Sequence, residues 1–453
     1  MFNQKCRVMK KFKFFYLLML IFICISCAKD QWFDAPPQGP GNNNSPCNLI
    51  CPQIKIAVIS DMHYTHPDLL PDNIEESPSL MEYLLRDRKI LELSDPIFRK
   101  AVSELLAEKP DILLIPGDLA KDGELMSHQV VQGLLQDLEN AGIRVFVVPG
   151  NNDIINPDAF SFETEPPTAV DNITADQFAE IYGDFGYNDE SLLYRDPNSL
   201  SYICQPHSNL WILGIDNINY TFATAGLKVS GAIKPETMAW IQEKMTEARE
   251  NKIKVLAMMH YGILEHYTGQ KSIEPLISGS KANAEALMDA GVSMVFTGHY
   301  HANDIVSYEY NGKTLYDIQT GSLVTPPYSY RIMRLDDNFI NIDSRRVTDI
   351  DEQLPGGVSF LEYSDIQITA RVNGFFIYYL PRMFGLSEAA ATFFAPYGTS
   401  GYKAYFAGDE QISDEESAKL DALPAAFAPL VSIVRSLWTD LPPADNKIHI
   451  KLK

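Results

Sequence analysis

A chain of 453 residues, 46% hydrophobic and 21% charged, has the apolar content for a sizeable core and a length that fits two or three domains. Lys and Arg number 37 against 59 Asp and Glu, a formal net charge of −22. That balance argues against a nucleic-acid duplex as partner, since phosphate-backbone binding needs clustered cations. Any positive charge needed to hold an anionic substrate would have to come from bound metal.

The chain opens on a targeting segment. Lys10, Lys11 and Lys13 precede an apolar stretch at 14–25, too short to span a bilayer but of the right length for the core of a signal peptide. It stops at Ser26-Cys27, which looks like a bacterial lipoprotein cleavage site with Cys27 as the lipid-bearing residue. Residues 28–52 are rich in Pro, Gly and Asn and read as a flexible tether. The expected location is the cell envelope, lipid-anchored at the periplasmic face or cell surface, with the outer membrane of a Gram-negative bacterium as the expected membrane. Cys47 and Cys51 could pair in such an oxidising compartment or stay free.

From residue 54 onward, strand-like apolar runs alternate with helix-like stretches. Runs at 54–60, 112–116, 145–149, 254–258 and 292–297 read as strands, and 97–108, 127–140 and 236–249 carry helical spacing between them. Such units build right-handed crossovers and a parallel sheet. Later the rhythm changes to hairpins, Asp304–Tyr310 with Lys313–Gln319 around Asn311-Gly312, then 330–335 with 339–346. Helices outside and two packed sheets inside predict an α/β fold, a four-layer α/β/β/α sandwich of two mixed sheets at 53–350. Residues 351–453, rich in Ala, Phe and Tyr, read as a small, mainly helical C-terminal subdomain.

Each of those five strands is followed by residues suited to metal binding: Asp61-Met62-His63, Gly117-Asp118, Gly150-Asn151-Asn152-Asp153, Met259-His260 and Gly298-His299-Tyr300-His301. Side chains leaving the C-terminal ends of neighbouring strands converge at one sheet edge, where open α/β sheets place their sites. The set Asp61, His63, Asp118, Asn151, His260, His299 and His301 is large enough for two metal ions. Its imidazoles suit manganese, iron or zinc better than magnesium or calcium.

In this order the motifs resemble those of the calcineurin-like metallophosphoesterase family, D-x-H, G-D, G-N-H-[DE], a lone His and G-H-x-H, over residues 54–346. The resemblance implies the same sandwich fold and two metals about 3.5–4 Å apart acting on a small phosphorylated substrate. It implies that Asp61, His63 and His301 hold the first metal and Asn151, His260 and His299 the second, with Asp118 as the bridging carboxylate. Hydrolysis of a phosphodiester or phosphomonoester would then proceed by in-line attack of a metal-bridging hydroxide. One position departs from the pattern: Asn152 stands where the family's catalytic His is expected. An amide cannot shuttle protons near neutral pH, though it can donate a hydrogen bond to a phosphoryl oxygen. Asp153 is expected to position that amide, and His66 or His266 to serve as a substitute acid. Tyr64, Tyr261 and Tyr300 sit beside ligands and could line the pocket. Arg331 is the basic residue expected to meet the substrate, together with Tyr300. Two further readings remain: a pyrophosphate- or polyphosphate-cleaving hydrolase, for which a missing acid is harmless, and a metal-containing lipoprotein that binds a phosphorylated ligand without turning it over.

Overall fold

A computed structural model describes residues 53–219, 231–274 and 276–452. Cys27, the tether and the Cys47/Cys51 pair lie outside the described residues, and Cys204 is a buried free thiol.

Three strands found the first sheet: β1 (Ile54–Val58), β2 (Ile112–Ile115) and β3 (Arg144–Val147), side by side and parallel. They read as near-continuous apolar runs because both faces are covered. The crossovers carry α1 (Pro78–Leu84) and α2 (Ser94–Glu108), then α3 (Leu125–Asn140). A short ribbon of β4 (Phe160–Ser161) and β5 (Thr168–Ala169) follows. Next comes α4 (Ala175–Ile181), fixed at its start by a capping box between Thr174 and Gln177.

The second sheet begins with an antiparallel meander, β6 (Leu192–Arg195), β7 (Tyr202–His207) and β8 (Leu210–Gly214). It continues in parallel through α5 (Pro235–Glu250), β9 (Lys254–Met258), α6 (Ser280–Ala290) and β10 (Met294–Thr297). The hairpin of β11 (Asp304–Tyr310) and β12 (Lys313–Gln319) completes it, turning at Asn311–Gly312. The next hairpin, β13 (Ser329–Leu335) and β14 (Phe339–Arg346), returns to the first sheet, where β13 pairs antiparallel with β1.

One buried cluster joins α2 and α3 to the first sheet, and the first sheet to Leu256, Met258, Phe296 and Ile318 on the inner face of the second. A second cluster packs α5 and α6 on the outer face of the second sheet, through Ile241, Met245, Leu287 and Met288. The layers therefore run helix, sheet, sheet, helix, with both sheets mixed, as the sequence pattern predicts.

The remaining chain is helical from α7 (Phe360–Phe384) through α8 (Glu388–Ala407), α9 (Asp414–Asp421) and α10 (Ala428–Ser436). Ser359, Ser387 and Ser413 cap the first three by accepting backbone N–H groups, which sets where each begins. The last strand, β15 (Lys447–Lys451), goes back to the sandwich and pairs with β14. The first sheet thus reads β15-β14-β13-β1-β2-β3 and the second β11-β12-β10-β9-β8-β7-β6.

Candidate metal centre

Parallel strands that end together deliver their next residues together. Asp61, Asp118 and Asn151 leave the adjacent strands β1, β2 and β3; His260 and His299 leave the adjacent β9 and β10 of the facing sheet. The loops keep pairing past the strand ends, with Asp61 N–H donating to Gly117 O at 3.2 Å and His63 N–H to Asp118 O at 3.0 Å. Across the sheets, the His299 N–H donates to the Asp61 carboxylate at 3.0 and 3.1 Å.

Two ligand sets result. Asp61, His63 and His301 converge in one, Asp118, His260 and His299 in the other. His63 Nε2 lies 3.1 Å from His301 Nε2. In the second set, Asn151 Oδ1 lies 2.9 Å from His260 Nε2 and 2.8 Å from His299 Nδ1. Asp118 Oδ2 stands between the sets, 3.5 Å from His63 Nε2 and 3.3 Å from His260 Nε2. All seven residues expected from sequence are brought together, with Asp118 between the two sets.

The crowding carries a backbone cost. Asp61, His63, Asp118, His299 and His301 all hold positive φ, at 49°, 38°, 53°, 75° and 65°. Non-glycine residues avoid that region, and such strain concentrates at functional sites. Two glycines make room for it. A Cβ on Gly150 would sit 2.1 Å from Asp118 Oδ1, and one on Gly298 would sit 2.3 Å from Asp61 Oδ2. Gly150 and Gly298 are thus a matter of space beside a carboxylate.

The donor set fits metal ions. Burial holds the His63 imidazole down to about 4, with Lys89 acting in the same direction. Burial also keeps His299 and His301 well below the ordinary histidine range, reinforced by His260 for the first and His63 for the second. Neutral imidazoles are the ligating form. Burial would lower His260 too, but Asp118 and Asp61 raise it to about 9, so a cation at this point is what the surroundings favour. Its Nδ1 faces Pro116 O at 2.9 Å, which leaves Nε2 aimed at Asp118 and Asn151. Such outer hydrogen bonds fix the ring and tautomer of a metal-bound histidine.

The other expected residues divide. Asn152 donates its backbone N–H to Asp118 Oδ1 at 2.8 Å and its side-chain amide to Asp118 Oδ2 at 2.7 Å. Its amide is directed at the carboxylate that stands between the two ligand sets. Asp153 does not position that amide: its carboxylate accepts the N–H groups of Leu119, Ala120 and Gly150 at 2.8, 3.0 and 2.7 Å, tying the β2 and β3 loops together. His66 caps a short 3-10 turn by accepting the Asp68 N–H at 3.1 Å. His266 is buried between Asp304, at 2.7 Å, and Asp317, at 3.5 Å, and is no substitute acid. Arg331 is a correction as well. It is fully buried and its guanidinium donates to the carbonyls of Asp445 at 2.7 Å, Gln319 at 2.5 Å and Asp304 at 3.3 Å, cross-linking the two sheets. Of the tyrosines, Tyr64 bonds Asp95 at 2.6 Å, while the Tyr261 and Tyr300 rings lie 4.1 and 4.8 Å from that of His299.

Sequence reasoning overlooked the support around the ligands. Ser60 Oγ donates to Asp61 Oδ2 at 2.5 Å, and Thr325 Oγ1 lies 3.0 Å from His301 Nδ1. It also overlooked Arg88 and Lys89, the cations whose field depresses His299, His301 and His63. The only signal for them was the basic run Arg86-Asp87-Arg88-Lys89.

Residues 54–303 match the family model of the calcineurin-like phosphoesterases. Among solved structures, a dimetal phosphatase from Danio rerio is 14% identical, covering 65% of this chain and 96% of its own at a TM-score of 0.44. A purple acid phosphatase from yellow lupin (Lupinus luteus) seeds is 11% identical, covering 68% of this chain and 53% of its own at a TM-score of 0.40. No curated protein matches the sequence.

Proposed function

The chain belongs to the calcineurin-like phosphoesterase family, and from that premise we propose that it hydrolyses a phosphodiester or phosphomonoester at a two-metal centre. The observation that carries the reading is Asp118, within 3.5 Å of His63 Nε2 in one ligand set and 3.3 Å of His260 Nε2 in the other. Two metals when bound would polarise the phosphoryl oxygens and make water a stronger nucleophile at neutral pH. Asp61, His63 and His301 would hold one, Asn151, His260 and His299 the other, and the imidazole content favours manganese, iron or zinc. The chain's own part is to fix these ligands through Ser60, Pro116 and Thr325.

A second reading, cleavage of pyrophosphate- or polyphosphate-type bonds, is favoured by Asn152. Its amide serves Asp118, so no imidazole at this position protonates a leaving group, and substrates whose leaving groups need little protonation suit the site best.

The test is metal content and turnover together. Protein purified gently should carry two transition-metal ions per chain, and Asp118→Asn should lose activity on model mono- and diesters. Metal-free protein, or a fully active Asp118→Asn, would overturn the reading. We also propose that Cys27 bears the lipid that holds the enzyme at the cell envelope. Cys27→Ala should shift the protein from the membrane to the soluble fraction, and unchanged fractionation would rule the anchor out.

A further inference from the structure

A cavity of about 370 Å³ lies between one candidate metal ligand, His299, and the C-terminal helices. His299 and Tyr300 line it alongside Phe376 and Leu380 of α7 and Val434 and Leu437 beyond. Its volume lies in the range of ~300–1,000 Å³ typical of small-molecule sites. Apart from His299, its charged side chains are Arg88 and Glu274, which bond each other at 2.9 Å, and the Tyr402 hydroxyl donates to the same Glu274 oxygen at 3.1 Å. Beyond that cluster and His299 the wall's polar side-chain atoms are the Tyr300 and Tyr379 hydroxyls, and the rest is aliphatic or aromatic.

The apolar character continues outward. Met383 and Phe384, which also line the cavity, are 56% and 43% exposed at the end of α7, and Phe393 near the start of α8 is 50% exposed. Large apolar side chains left in water beside a cavity mark a surface that takes up apolar material. A nucleoside or sugar phosphate would need partners here for its hydroxyls and ring nitrogens, and polar groups buried without them are penalised heavily.

We propose that the substrate is a phosphoester bearing a long apolar chain, with the phosphate at the metal centre and the chain laid between α7, α8 and α10. The inference rests on the phosphoesterase reading above and deepens it. It also gives the helical segment a role: α7, α8 and α10 form the chain-binding wall of a site whose metal ligands all come from the sandwich.

The experiment uses the full chain with manganese and a series of 4-nitrophenyl diesters whose second alcohol is methyl, butyl or octyl. The leaving group is the same throughout, so only the chain varies. Each methylene that enters the cavity is worth roughly fourfold in kcat/KM, so gains of at least about tenfold are expected from methyl to butyl and again from butyl to octyl. Met383→Asp and Ile433→Asp, both at positions that line the cavity, should each cut the octyl-to-methyl ratio by about tenfold or more, since they put a carboxylate against the chain. A flat series, or a nucleoside 4-nitrophenyl ester preferred over the octyl ester, would overturn the inference. If no ester is cleaved, the phosphoesterase reading fails, and calorimetry with octyl- and methylphosphonate judges the cavity alone. Octylphosphonate binding about 100-fold tighter would sustain it; equal affinities would overturn it.

Discussion

Asn152 donates from its backbone N–H and from its side-chain amide to Asp118, and that pairing sets what the residue does. A carboxylate held on each oxygen by the same neighbour cannot swing out of line with the two ligand sets. Asn152→Ala should therefore loosen metal binding by about 10–100-fold, the usual effect of losing such a support, measured by competition with a chelating dye. Asn152→His should act on chemistry instead. A placed imidazole would raise turnover of alkyl esters relative to aryl esters by on the order of 10²-fold. A parent enzyme whose rate barely depends on leaving-group pKa would show that some other group already donates the proton. At this scale the ligands were legible because each is a rare residue type at a fixed offset from a strand end. Ser60 and Thr325 were not, since a supporting hydroxyl is defined only by what folding brings beside it. Arg331 misled for the same reason: nothing in the local sequence distinguishes a strand arginine facing substrate from one spent on carbonyls between two sheets.

Between elements, the buried triad of His266, Asp304 and Asp317 links the loop after β9 to β11 and β12. Burial alone would lower the His266 pKa, but Asp304 and Asp317 raise it from 6.5 to about 10. A histidine raised on folding contributes stability that is complete below pH 6.5 and is lost as pH climbs through about 10. The thermal midpoint of the parent should therefore fall toward that of His266→Gln between those limits, while at pH 6.5 the variant is less stable by on the order of 3 kcal/mol. Parallel melting curves across the range would place the imidazolium elsewhere. The strands and helices that this triad connects were readable from periodicity, and the β11–β12 turn from Asn311-Gly312. The meander β6–β8 was not. Its register shifts between Leu192 and Tyr194 and again between Cys204 and His207, which breaks the alternation that pattern reading depends on.

Across the whole molecule, the C-terminal segment is built into the sandwich at both of its ends. Arg371 on α7 is buried, pairs with Glu92 at 2.6 Å and donates to Lys89 O, so the helix grips the stretch that carries Arg88 and Lys89. Tyr328 and Ser364 join their hydroxyls at 2.5 Å beneath the same helix. At the far end, Asp445 accepts the Ile305 N–H at 2.7 Å and β15 covers the edge of β14. Composition suggested a helical appendage because it reports which residues are present and not where a final five-residue strand pairs. These ties predict that the chain from residue 53 unfolds as one unit. Removing the segment would expose the β14 edge, strand Glu92 without its buried partner at a cost of about 3–5 kcal/mol, and uncover the apolar faces that α7 now shields. A fragment ending at residue 350 should aggregate or fail to hold metal, and calorimetry of the longer chain should show a single transition. Two separated transitions, or a soluble 53–350 fragment with both metals bound, would mean that the helices are an independent module.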